Sequence, residues 1–555
     1  MTASFSLASA PWIDVWDLDA AASRRVSLHE ALTRAHRLYL HVDRSESLVL
    51  LRLLVAVLDA ACGPRDTAEW DDAWKAPTLD TDAITAYLDR NADRLDLFHP
   101  ERPAYQCGKL TEYARGPQAL HPGSLAGDAA SLFYPWLDEC PPLEPGQAAQ
   151  WLLHLLTYDV AGIKRAAPGD PQARGGKLYG AQVGPVAFVT HAHLASPGMT
   201  LKDLLWLNLP PQPRAAGDAP VWERDTPDVP VRTRAAAGRL DLLTWPGRRI
   251  RLHANDEGLV DAVAHHDGDR LDDTWGTVQR LDPMTAWRVS SKGTWAPLTF
   301  MDDGTWPQPW RPATVLDRPG ACQVVDHAVA AAERGAIDEG LRLRLVVSSV
   351  LHSNQHRANV SDIPVLAAPI GTAGLLADPE TRAGIADMSR YADVIGQRLR
   401  HHAALITGRG GQVTRRLLLT DLDMPWEKAV DDYGQGPAQA RAEWADAVQQ
   451  VAERRIDELP LRPAERGQLL ARYRDRVPAP PAKPSTSAAA KGGKRRGPAA
   501  RRFPVFGGEF TLSELARDER CKVTYQTLRK RVEEGGWDVE EAATTPGRRG
   551  PAASA

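Results

Sequence analysis

The run PAPPAKPSTSAAAKGGKRRGPAARR, residues 478–502, divides this 555-residue chain. It carries seven Lys or Arg and no acid. Proline, glycine and alanine make up most of the rest, so too little apolar surface is available to offset the entropy of ordering it. The composition predicts a flexible basic linker over 479–502. A chain of this length also exceeds what one hydrophobic core organises, and about two to four domains are expected.

Before the linker the pattern changes once. Residues 1–365 read as a mixed α/β domain. SESLVLLRLLVAVLDAACG predicts a buried helix ending at a glycine, and TDAITAYLDRNADRLDLF an amphipathic one. GPVAFVTHAHL predicts a strand, and GMTLKDLLWLNL a short helix entered through Thr200. Residues 210–320, rich in Pro, Gly, Asp and Trp, read as short strands and long loops. From 366 to 478 the period becomes helical. Ile385, Met388, Ala392, Ile395, Leu399 and Ala403 form one apolar stripe. Trp444, Val448, Ala452, Ile456 and Leu459 form another. With two further patterns, at 413–430 and 462–476, they predict a four-helix bundle. The fold class expected is α+β: a large mixed domain, a helical bundle, the linker, and a small helical domain at 503–547.

Composition narrows the function classes. The net charge of −4 excludes a polycation, so any nucleic-acid site must be a local patch. The five cysteines form no CxxC pair, which argues against a disulfide framework and fits a reducing cytoplasm. The N-terminus lacks a signal-peptide pattern, and no run of 18 apolar residues exists, so no membrane partner is expected.

The stretch DVAGIKRAAPGDPQARGGKLYG, residues 159–180, sets Lys164, Arg165, Arg174 and Lys177 among glycines. Such a loop lets backbone approach phosphate. The nucleotide-binding P-loop pattern fails, because Pro171 stands where its first glycine must be and Leu178 replaces the hydroxyl residue. The four cations suit a polymer backbone, through counterion release, or a surface loop with no ligand, or packing against a neighbour.

His266-Asp267 is the one pair that suggests a metal-dependent phosphohydrolase, but no helical frame or further ligand accompanies it. His191 and His193 fall on one face of the predicted strand, where a sheet histidine is the simpler reading than a zinc ligand. No other catalytic constellation is visible, and no cofactor is expected.

After the linker, FTLSELARDERCKVTYQTLRKRV predicts two helices around a short break. Leu512, Leu515 and Ala516 face inward on the first, and Tyr525, Leu528 and Val532 on the second. Gln526, Thr527, Arg529, Lys530 and Arg531 face out. This is a helix-turn-helix pattern, with side chains suited to base edges and phosphate. The run through GWDVEEAATTP closely resembles the helix-turn-helix repeats attached to phage-type homing endonucleases; the nuclease motif of those proteins is absent. A freestanding transcription factor is the reading that follows if this piece acts alone.

Taken in order, several motifs of the main body resemble the CasA family, the large subunit of the type I-E CRISPR Cascade complex. They are PWIDV near residue 12, LFHPERPAYQ (97–106), the glycine-rich stretch, LKDLLWLNL, and DPMTAWR (282–288). The resemblance covers residues 10–478. It implies a non-catalytic subunit that recognises the protospacer-adjacent motif (PAM) in double-stranded DNA. It implies help in opening the duplex for the guide RNA, and recruitment of a helicase-nuclease or other effector. The implied partners are guide RNA, target DNA and the other Cascade subunits.

Carried over position by position, the resemblance makes Asn354 and Gln355 the duplex wedge with His356 at its tip. Asp128 and Ser131 stand in a loop near the guide end. The glycine loop falls at Pro145-Gly146-Gln147, and the basic finger at Arg270 or Arg280. The helix-turn-helix is an addition to the family pattern, expected to grip duplex DNA beside the target.

Overall fold

The computed structural model describes residues 3–113, 115–122, 140–159, 163–166, 169–179, 185, 189–225, 227–272, 278–290, 293–299, 310–352, 360–407 and 411–476, and, beyond them, 503–506, 508–510, 512–516, 518, 520–523, 527–528, 531–532 and 538–545. The chain divides into two compact units, Met1–Thr486 and Ser487–Ala555.

In the first unit one apolar core runs from Leu7 to Tyr473. It is organised around the Ser45–Cys62 helix, in which every residue from Leu48 to Ala60 is buried. A helix apolar on all sides cannot sit at a surface, which is why LVLLRLLVAVLDAA becomes the centre of the fold. The helices Pro145–Tyr158 and Thr81–Arg90 pack on it. The first sheet is three-stranded and antiparallel, ordered Ala22–Val26, Ile13–Asp17, Leu38–Tyr39. Burial alternates residue by residue along Ile13–Asp17, as a strand with one solvent face requires.

The second sheet orders Val365–Thr372, Arg342–Ser348 and His191–Ala195, all antiparallel. The DPMTAWR segment lies along its outer strand: Ala192 N donates to Met284 O (2.6 Å) and Ala286 N to Thr190 O (2.9 Å). The helix after it, Leu201–Leu207, begins at Thr200 as its sequence promised, in a capping box where Thr200 and Asp203 each serve the other's backbone. Between residues 210 and 320 the structure shows short strands, of which Arg248–Ala254 and Val260–Asp267 form the longest hairpin.

The amphipathic segment is one helix only as far as Arg90. Asn91 ends it, and a 3-10 turn, Ala92–Leu95, follows. The helical region likewise differs from expectation. Among its described residues five helices are present: Pro379–Thr407, Gly411–Thr420, Asp423–Tyr433, Pro437–Asp457 and Pro463–Arg476. The pattern at 413–430 is two helices, because the chain breaks at Asp421-Leu422. Asp421 there accepts from Arg454 (2.7 Å) and from Arg455 (2.8 and 2.9 Å), a clamp onto Pro437–Asp457. The two expected stripes are buried except for Leu459, which is half-buried and lies past the end of Pro437–Asp457, and Trp310, Trp426 and Trp444 pack together at centroid distances of 5.4–6.0 Å.

The second unit has its own small core of Val505, Leu512, Leu515, Leu528, Ala542 and Ala543. A hairpin that sequence reading did not foresee, Phe503–Val505 with Gly508–Phe510, opens it. The helix Leu512–Leu515 follows, and Val539–Thr544, capped by Asp538, closes it.

Candidate nucleic-acid interface

The glycine-rich stretch folds as a hairpin in which Lys164–Arg165 pairs antiparallel with Lys177–Leu178. Its inner turn is Arg174-Gly175-Gly176-Lys177. Arg174 N donates to Lys177 O at 2.9 Å, and Lys177 N returns to Arg174 O at 3.2 Å. Gly175 and Gly176 stand at φ 58° and 71°. Two successive residues in the left-handed region define a tight hairpin turn that glycine enters without steric cost. The glycines therefore serve the turn, and the amides of Arg174 and Lys177 are spent on each other rather than offered to phosphate. What remains for a ligand is charge: Lys177 and Arg174 are both exposed. Asp170 pins the loop, accepting from Gln172 N (2.8 Å) and Val231 N (3.2 Å).

Pro145-Gly146-Gln147 is not a loop. It is the first turn of the Pro145–Tyr158 helix, with proline where its missing N–H is harmless. A Cβ on Gly146 would lie 2.8 Å from Trp12 Cβ, so this glycine permits close packing onto Trp12. Gln147 is exposed.

Neither arginine named for the basic finger is loose. Arg270 donates to Asp267 Oδ2 at 2.8 Å, and Asp267 Oδ1 accepts from Arg248 at 3.1 Å. Arg280 donates to Gly320 O at 2.7 Å and lies between two indoles, 4.1 Å from the Trp287 centroid and 4.5 Å from that of Trp295. Burial holds its pKa below the usual arginine value. Sequence reading could not see this stack, because its members are seven and eight positions apart and meet only when the Trp287–Val289 and Trp295–Pro297 strands pair.

The same network accounts for His266-Asp267. The Asp267 carboxylate is neutralised by Arg248 and Arg270, and no group of three or more His, Cys, Asp or Glu among the described residues could hold a metal ion. His191 and His193 are strand residues, fully buried, with no hydrogen-bond partner at either ring nitrogen among the described residues. Burial pushes both far below the ordinary histidine pKa, so they are neutral.

The wedge candidates Asn354, Gln355 and His356 lie outside the described residues, as do Asp128 and Ser131. The stem on either side of residues 353–359 is described: Leu351–His352 pairs with Val360–Asp362 as a separate two-stranded ladder, next in the chain to Arg342–Ser348 and Val365–Thr372 of the central sheet. In the second unit Gln526, Arg529 and Lys530 lie outside the described residues, and Thr527 is half-buried. Arg531 does not face out. It donates to Ala542 O (3.0 Å) and Thr545 O (2.5 Å), satisfying carbonyls at the end of the Val539–Thr544 helix.

Comparison with known proteins agrees with this architecture. The sequence profile of the family described as CRISPR-associated protein Cse1 matches residues 6–455. A CasA/Cse1 protein of Thermus thermophilus is 32% identical over 416 residues, 72% of this chain and 77% of the relative. The crystal structure of Cse1 from Acidimicrobium ferrooxidans superposes with a TM-score of 0.69 at 25% identity, covering 85% of this chain and 99% of that one. A chain of a structure described as a CRISPR RNA-guided surveillance complex shares the fold, with a TM-score of 0.66 at 22% identity over 86% of this chain and 99% of that one. A match running through both the mixed sheet region and most of the helical bundle places this chain in the Cse1/CasA family.

Proposed function

We propose that this chain is the large, non-catalytic subunit of a cytoplasmic RNA-guided surveillance complex. In that role it reads a short PAM in double-stranded DNA, helps to open the duplex so that guide RNA can pair, and brings in a separate effector. The observation that carries the reading is the family match over residues 6–455, supported by a fold shared with a chain of a surveillance complex. Delegating most of the sequence to base pairing leaves the protein only a short motif to recognise. Asn354, Gln355 and His356 are proposed as the wedge, carried on the stem of Leu351–His352 and Val360–Asp362. Lys177 and Arg174 are proposed to meet a nucleic-acid backbone.

The second unit is proposed to bind duplex DNA as a helix-turn-helix beside the target, with Gln526, Arg529 and Lys530 toward the groove. The linker holds it at high local concentration. A freestanding transcription factor would need no guide RNA. A metal phosphohydrolase on His266 and Asp267 is disfavoured by the arginines that occupy Asp267.

The test is purification of the tagged protein from its host with sequencing of bound RNA. Recovery of repeat-spacer RNA with a constant set of partner proteins is expected. Re-addition of the purified chain to a complex lacking it should restore target binding, and Asn354→Ala/Gln355→Ala should not. Restoration by a chain without residues 6–455 would refute the reading.

A further inference from the structure

Trp295 is the most exposed tryptophan among the described residues, at 41%. It is nevertheless held rigidly. Its strand pairs with Trp287–Val289 in the register Val289↔Trp295. The turn between them is closed by Ser290 N donating to Thr294 O at 2.7 Å. Beyond the hairpin, Leu298 N donates to Ala286 O (2.8 Å) and Thr190 N to Leu298 O (2.7 Å), which fastens it to the central sheet.

Trp287 and Trp295 project from the same face of this hairpin, and the Arg280 guanidinium fills the space between them. The layers run from buried Trp287, only 1% exposed, through Arg280 to Trp295. Arg280 covers one side of the Trp295 indole and leaves much of the ring open. The one hydrogen bond of its guanidinium among the described residues is to a carbonyl, at Gly320, and no carboxylate there pairs with it. The stack therefore shows a flat aromatic surface backed by an unneutralised positive charge.

An apolar protein side chain would gain nothing from that charge. An unpaired nucleobase on an anionic backbone gains from both: stacking on the indole, and attraction to the cation behind it. We propose that the Trp287–Arg280–Trp295 stack is a platform for one unpaired base of the displaced DNA strand. The choice of strand rests on the RNA-guided reading above, since duplex opening is what frees such a base. The platform chemistry rests only on the stack.

The test uses the assembled complex and a target duplex carrying 2-aminopurine at successive positions of the displaced strand next to the PAM. Stacking quenches this base. One position is expected to be quenched in the wild type, released in Trp295→Ala and largely quenched again in Trp295→Tyr. Affinity for the target should fall about tenfold in Trp295→Ala, in the range that loss of one base–aromatic stack produces. Guide-RNA content and melting temperature should not change, because the side chain is exposed.

If the complex opens DNA and no displaced-strand position responds to Trp295→Ala, the proposal is overturned. Quenching that responds only when the label is in the guide RNA also overturns it, as does a Trp295→Ala chain that drops out of the complex, which would make the occupant a protein neighbour. If the purified protein carries no guide RNA, the RNA-guided reading fails on its own. The platform is then judged with the full-length chain and a 2-aminopurine single strand, where the same dependence on Trp295 is expected and its absence refutes it.

Discussion

The Arg52 guanidinium and the Asp282 carboxylate form an ion pair inside the core, their side chains 3% and 4% exposed. Arg52 comes from the central Ser45–Cys62 helix, and Asp282 opens the DPMTAWR segment, whose Met284 N also donates to it at 2.9 Å. The pair therefore joins the helical centre of the first unit to the flank of its main sheet. Removing one partner leaves a buried charge without compensation, which costs about 3–5 kcal/mol, whereas an apolar pair of similar volume is tolerated. Asp282→Ala should lower the urea midpoint strongly. Arg52→Met/Asp282→Leu should recover most of the loss.

Burial keeps His191 and His193 neutral, with folded pKa values well below the unfolded value near 6.5. A depressed histidine means the unfolded chain takes up protons first as pH falls. The stability these residues allow is present above about pH 6.5 and is lost progressively below it. Denaturant titrations should show a fall between pH 7.5 and pH 5, values chosen about either side of that midpoint. His193→Leu should shrink the pH dependence, and an unchanged slope would remove this residue from the account.

The Gly175-Gly176 turn sets a requirement on backbone rather than on side chains. A non-glycine residue in the left-handed region costs about 1–2 kcal/mol, and asparagine least. Gly176→Val should destabilise the hairpin and Gly176→Asn should be nearly neutral. Limited proteolysis around 164–178 would report the difference. Lys177→Ala should leave the hairpin intact and reduce the salt dependence of target binding by about one unit of slope.

Deleting residues 479–555 should weaken target binding and flatten its dependence on salt, because the linker alone removes seven cations. Anisotropy titrations from low to moderate salt would measure both. An unchanged slope would show that neither the linker nor the second unit meets DNA.

Legibility followed the range of the physics. The stripes at Ile385–Ala403 and Trp444–Ile456 were readable because helical period and burial coincide over several turns. The helix start at Thr200 was readable because a side-chain cap acts within its own first turn; the reciprocal Asp203 half of the capping box is what the structure adds. The break at Asp421-Leu422 was legible too but passed over: Pro425 lacks the N–H that would bond Asp421 O four positions back, so a helix cannot run through it, and the Arg454 and Arg455 contacts then hold the freed Asp421. Pro145-Gly146-Gln147 was placed as a glycine loop by resemblance alone; proline at the start of the apolar run 148–158 is a helix-start signal that the residues themselves carry. Arg280 was a basic-finger candidate by resemblance, and only strand pairing brings its two tryptophans to it.

The stem at Leu351–His352 and Val360–Asp362 is a two-stranded ladder of its own, set off from the central sheet by Ser349-Val350 on one strand and Ile363-Pro364 on the other. Within the central sheet Trp426 Nε1 donates to Pro369 O at 3.0 Å, tying Val365–Thr372 to the helix Asp423–Tyr433. Paired strands resist stretching and shear along their length. Stem and sheet are thus two stiff members joined by a two-residue link on each strand. Bending between them concentrates at those links, where no ladder pair among the described residues resists it, while the sheet behind stays tied to the bundle.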